Sequence, residues 1–121
     1  MVLINSAYMN PWNNLTQLNQ LEEIIEQSET QPTLIFKHST RCSISTMVLD
    51  RLNRGWKAED SENLKPYFLD LLSFRDVSNR VAEQFGVVHE SPQVLVISKG
   101  KCIYSASQQG INLALIRQQL L

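Results

Sequence analysis

Residues 36–45, Phe36-Lys37-His38-Ser39-Thr40-Arg41-Cys42-Ser43-Ile44-Ser45 (FKHSTRCSIS), decide how this chain is read. Upstream, Thr33 to His38 (TLIFKH) is a short run with an apolar, β-branched and aromatic core. Such a run suits a strand covered by helices on both faces. Downstream, Ile44, Met47, Val48 and Leu52 recur at helical spacing, and Gly55 supplies a stop. Ser39 and Thr40 form the loop between the two. Cys42 therefore falls at the start of a helix, where backbone N–H groups lack intrahelical partners. A helix N-terminus favours an anion by roughly 0.3–1 kcal/mol, which makes this a suitable place for a reactive thiolate.

Working outward, residues 67–72 (YFLDLL) read as a second strand, so residues 33–72 form a βαβ unit with two parallel strands. Asp76 or Ser73 is the expected cap of a further helix carrying Val77, Val81 and Phe85, with Gly86 at its end. Residues 94–97 and 102–104 are strands joined through Ser98-Lys99-Gly100-Lys101, which predicts a tight antiparallel hairpin. Leu113, Ile116 and Leu120 mark a closing helix. Before the first strand, Asn13 or Asn14 is the expected cap of a helix with Leu15, Leu18, Leu21, Ile24 and Ile25 on one face. Residues 57–65 read as a polar loop, and residues 1–11 as a loose arm, with a short strand over residues 1–10 as the alternative, in a single domain spanning residues 1–121.

The resulting order is helix, strand, helix, strand, helix, strand, strand, helix. It predicts an α/β, thioredoxin-like fold: a four-stranded mixed sheet flanked by helices, with an extra N-terminal helix in place of the first strand. The expected sheet order is 67–72, 33–38, 94–97, 102–105, with the strand leading to Cys42 in the centre.

Composition narrows the function classes. A formal net charge of −1 offers no electrostatic basis for binding nucleic acid or an anionic membrane. No apolar run reaches membrane-spanning length. The N-terminal residues lack the pattern of a secretory signal, so two cysteines point to reduced thiols in a cytoplasmic protein rather than a disulfide framework. Neither CxxC nor HxxxH occurs, and His38, Cys42, His89 and Cys102 make a poor ligand set, so no metal site is expected.

The chemistry expected at Cys42 follows from its neighbours. In a CxxC motif the second thiol resolves the mixed disulfide; here that position is Ser45. Cys42 can form a mixed disulfide, but an outside thiol must resolve it. The hydroxyls of Ser43 and Ser45 are placed to hold the sulfur, Arg41 to lean toward it, and His38 to favour the thiolate if protonated or to cap the strand. Ser91-Pro92 precedes a core strand, where a thioredoxin-like fold carries a cis-proline facing the cysteine and a residue that pairs with substrate backbone. His89 lies two residues earlier and is a candidate substrate contact. Cys102 belongs beside the hairpin, at the far end from Pro92, as a buried structural thiol. Ser107 and Gln108 return toward the Cys42 end.

FKHSTRCSIS resembles the site of the YtxJ-like monothiol bacilliredoxins. The resemblance continues through Gln84-Phe85-Gly86-Val87, His89-Glu90-Ser91-Pro92-Gln93-Val94-Leu95 and Ser105-Ala106-Ser107. It implies a thioredoxin-like fold, Cys42 as nucleophile and Ser91-Pro92 as the cis-proline step. It also implies removal of a low-molecular-weight thiol, bacillithiol or glutathione, from S-thiolated proteins. The small thiol acts as co-substrate, and no tightly bound cofactor is expected. Ser43 stands where relatives carry proline, and residues 105–109 lack the relatives' His and Trp. The competing class is a non-catalytic thioredoxin-like binding module or a carrier of an iron–sulfur cluster, as in monothiol glutaredoxins; the glycine those carry after the cysteine is absent here. The sequence sets no oligomeric state.

Overall fold

A computed structural model of the chain describes residues 10–121. The elements in chain order are β1 (Asn13–Asn14), α1 (Gln20–Gln27), β2 (Thr33–His38), α2 (Ser43–Gly55), α3 (Ala58–Asn63), β3 (Lys65–Asp70), α4 (Arg75–Phe85), β4 (Gln93–Ser98) and β5 (Lys101–Ser107). A 3-10 turn, Gln108–Gly110, and α5 (Leu113–Gln118) complete the fold. Of the arm expected over residues 1–11, residues 1–9 lie outside the described part of the chain.

The sheet order is β1-β3-β2-β4-β5. β2 runs parallel to β3 and antiparallel to β4, and β5 closes the other edge antiparallel to β4. The expected four strands are present in the expected order, with β2 central, but the strand expected over residues 67–72 runs Lys65–Asp70, and Leu71 and Leu72 fall in the turn after it. Side-chain alternation along β2 sends Leu34, Phe36 and His38 to one face and Ile35 and Lys37 to the other. Leu34 and Phe36 join Val48 and Leu52 of α2, Trp56, Leu64 and Ile116 of α5 in one core. Ile35 joins Leu21 and Ile24 of α1 and Val77 and Val81 of α4 in the second. Each such side chain contributes roughly 1.5–3 kcal/mol by leaving water, so both faces of the central strand are anchored.

Three local expectations are revised. First, the sheet gains a fifth strand: Asn13 and Asn14 pair with Tyr67 and Phe68 instead of capping a helix. The Asn13 side chain donates to Pro66 O at 3.0 Å, and Leu15 N–H donates to Phe68 O at 2.8 Å. The helix then waits until Gln20, whose side-chain oxygen accepts from Thr16 N–H at 2.8 Å and Gln17 N–H at 2.9 Å and so holds an irregular turn. Leu18, expected on the apolar face, is exposed as a result.

Second, residues 57–65 are not all loop. The Asp60 carboxylate accepts from Lys57 N–H at 2.8 Å and Trp56 Nε1 donates to Ser61 Oγ at 2.8 Å, which closes the short helix α3. Third, neither Ser73 nor Asp76 caps α4. Its N-cap is Phe74, and Ser73 instead hydrogen-bonds Asp70. Gly86 does end α4 in the left-handed conformation, φ 65°. The β4–β5 turn has positive φ at both Lys99 (52°) and Gly100 (78°), as a two-residue hairpin with the right twist requires.

Candidate active site

β2 ends at His38, and the chain turns through Ser39 to Arg41, with Cys42 N–H donating to Ser39 O at 3.2 Å. Cys42 is the N-cap of α2, in extended conformation (φ −114°, ψ 117°), and its carbonyl accepts the first helical bond from Thr46 N–H at 3.2 Å. The thiol is free, half-buried, and caps none of the helix's N–H groups.

Ser45 sits one turn into α2 with 0% exposure. Its Oγ accepts from Ser39 N–H at 3.1 Å and lies 2.7 Å from His38 Nδ1. Burial, partly offset by Asp70, lowers the His38 pKa, so the neutral ring accepts the Ser45 hydroxyl proton. Phe36 and Phe68 rings pack against this imidazole. Ser45 thus ties the end of β2 to the first turn of α2 and fixes the loop that bears Cys42. The expected Ser45 hydrogen bond to the sulfur is absent among the described residues, and His38 is not placed as a cation beside the thiol. Arg41 is exposed; its backbone N–H meets Ser39 Oγ at 3.3 Å, and its guanidinium makes no ion pair among the described residues. Ser43 is exposed at the first position of α2.

The Ser91-Pro92 peptide is cis and leads directly into β4. Lys37 pairs with Gln93, so continuing the ladder by one residue sets Pro92 beside His38. Gln108 N–H donates to Pro92 O at 2.8 Å, and the 3-10 turn packs against α2. Cys42, His38, Ser91 and Pro92 therefore meet at one end of the sheet. Ser91 Oγ is buried with no hydrogen-bond partner among the described residues.

Cys102 pairs with Ile97 near the hairpin. Most of β4, at ~3.3 Å per residue, separates it from the Pro92 end, well beyond disulfide range. Burial pushes its thiol pKa up, and Sγ donates to Tyr104 O at 3.3 Å, the environment of an inert cysteine. Among the described residues no group of three or more His, Cys, Asp or Glu side chains is arranged to hold a metal ion, and no helix is long and apolar enough to cross a membrane. A cleft of about 720 Å³ lined by Thr30, Gln31, Glu59, Glu62 and Arg117 lies at the opposite end of β2 and adds nothing to Cys42.

One polar group at this end carries no motif. Lys37, fully buried on the α4 side of β2, reaches Ser78 O and the ring of His89. Its sequence signal is a cation inside a strand expected to be covered on both faces.

Residues 13–116 match the family model described as monothiol bacilliredoxin BrxC. Among solved structures, one described as a candidate oxidoreductase with a thioredoxin fold is 27% identical, with a TM-score of 0.76 over 89% of this chain and 92% of that one. Oxidized mitochondrial thioredoxin 3 from Saccharomyces cerevisiae is 16% identical, with a TM-score of 0.69 over 90% and 92% of the two chains. Fasciola hepatica thioredoxin is 14% identical, with a TM-score of 0.68 over 89% and 95%. The last two establish the fold alone. The family match covers the strand–cysteine–helix unit and the cis-proline strand together, and the chain belongs to the monothiol bacilliredoxins, thioredoxin-fold proteins with a thiol oxidoreductase-like role.

Proposed function

We propose that the protein removes a low-molecular-weight thiol, bacillithiol or glutathione, from S-thiolated proteins through a mixed disulfide on Cys42. The Cys42 thiolate attacks the small-thiol sulfur of the protein disulfide. A new S–S bond forms, the old one breaks, and the protein thiolate leaves with the electron pair. A second small thiolate then attacks the Cys42 mixed disulfide, releases a small-molecule disulfide and restores the Cys42 thiolate. No net electrons remain on the enzyme.

One observation carries this reading. A free, partly exposed thiol occupies a helix N-cap, while the position three residues on holds a hydroxyl buried against His38 and Ser39. Ser91 and Pro92 supply the edge along which a substrate backbone docks, and Arg41 and Ser43 flank the thiol on its exposed side. In this role Ser45 and His38 act by holding the Cys42 loop rather than by touching substrate.

The test uses a glutathionylated and a bacillithiolated model protein. Transfer of the small thiol to Cys42 is followed by mass spectrometry. An adduct on Cys42, absent in Cys42→Ala, is expected. Dethiolation that proceeds equally in Cys42→Ala, with no adduct on the parent protein, overturns the reading.

A further inference from the structure

Lys37 is 0% exposed, near the end of the central strand β2, and among the described residues no carboxylate pairs with it. Its Nζ donates to Ser78 O at 3.1 Å and lies 3.2 Å from His89 Nδ1. A buried cation without a counter-ion is among the costliest groups a fold can carry, and an apolar side chain of similar length would cost far less. Burial lowers its pKa to about 8, which still leaves roughly 90% of it charged at pH 7.

The imidazole beside it behaves oppositely. Burial, then Lys37 and Arg75, lower the His89 pKa against the pull of Glu90. A neutral ring facing an ammonium must accept at Nδ1, which puts its proton on Nε2; the hydrogen-bond network makes this assignment. The His89 residue is exposed, and no protein group hydrogen-bonds Nε2 among the described residues. The nearby charges are two cations, Lys37 and Arg75, and one carboxylate, Glu90, which Ser107 Oγ already engages. An N–H donor of fixed tautomer, backed by a buried positive charge, is thus held at the surface. His89 stands two residues before Ser91, within ~7 Å along the chain.

We propose that His89, braced from below by the Lys37 ammonium, is a carboxylate-binding subsite for the small thiol that exchanges at Cys42. Lys37 is the positioning residue and His89 the contact; the assignment rests on the exchange reading above. His89 lies three residues before Pro92, which the β2–β4 ladder sets beside His38 at the Cys42 end of the sheet.

The test removes the exchange chemistry. Cys42→Ser protein is titrated with S-methylglutathione and, separately, with its diethyl ester, while the His89 ring nitrogens are followed by NMR. The acid is expected to shift the Nε2 resonance and to bind about fivefold more tightly than the ester, the scale of one charge-assisted hydrogen bond at a partly exposed site. Lys37→Met and His89→Gln should each bring the two ligands within about twofold. Equal affinities for acid and ester, an unshifted His89 at saturation or at tens of millimolar ligand, or an intact preference in Lys37→Met would each overturn the subsite. Mass spectrometry of the parent protein separates this from the exchange reading. Acid preference without a Cys42 adduct removes the exchange step alone, and an adduct without acid preference removes the subsite alone.

Discussion

Raising the pH should narrow the stability gap between this protein and its Lys37→Met variant, and the size of the effect follows from the buried amine. The Lys37 pKa is about 8 in the folded protein against an ordinary 10.5. Between those values the unfolded chain holds a proton that the folded chain has released, so stability rises with pH across this window. Below about pH 8 both states are charged, and the folded state carries the full cost, about 3 kcal/mol. Between pH 7 and pH 9.5 about 2 kcal/mol of that cost disappears. Methionine is close in length and never charged, so at pH 7 Lys37→Met should be the more stable protein, less roughly 1 kcal/mol for the hydrogen bond to Ser78 O that it forfeits. Urea unfolding of both proteins at several pH values between 7 and 9.5 reads the difference, and the titrations they share cancel. Parallel stability profiles would refute the reasoning, since they would mean that the Lys37 amine keeps its ordinary affinity for protons inside the sheet.

Other outcomes follow from the same geometry. Ser45→Ala leaves Ser39 N–H and His38 Nδ1 without their buried partner and should destabilise the fold by about 1–3 kcal/mol in denaturant unfolding, with a slower approach to the Cys42 adduct. Cys102→Ser should leave dethiolation rates unchanged, and oxidised parent protein should show no Cys42–Cys102 disulfide on non-reducing peptide mapping. Asp60 is held below its ordinary carboxyl value of 3.8: burial raises it, but the hydrogen bonds and charge of Arg117, with the Lys57 backbone, outweigh that. The resulting stability is present above pH 3.8 and is lost as pH falls through the depressed pKa, so acid unfolding should begin at higher pH in Arg117→Met.

The parts of the fold that were legible in the sequence share a physical cause. TLIFKH carries a continuous apolar run because both faces of β2 are covered; YFLDLL marked β3 by its apolar residues, but its last two leucines belong to the turn after Asp70. Lys-Gly between two such runs marks a hairpin because both turn positions need positive φ. The place of Cys42 in the fold was legible from chain order: it follows the central strand directly and so falls at a helix start, and Ser45 is visibly not a thiol. What escaped was short or depended on remote partners. Two asparagines pairing with β3 have no period to detect, and they displaced a helix start that local capping rules favour. Helix α3 has six residues, too few for a stripe, and is closed by Asp60 and Trp56 side chains rather than by propensity.

Sequence alone determined that Cys42 sits between a buried strand and a helix, with a serine and not a second cysteine three residues on. Strand, loop and helix are consecutive, and their hydrophobic periods are set locally. Tertiary structure alone decided what Ser45 and Lys37 do. Ser45 turns inward to His38 rather than toward the sulfur, because the loop at Ser39 needs an acceptor for its buried N–H. Lys37 meets Ser78 and His89, residues 41 and 52 positions away, because β2 lies beneath α4 and beside β4. A partner that distant leaves no mark on the spacing of residues 36–45, and only the packed sheet brings it to the cysteine's end of the molecule.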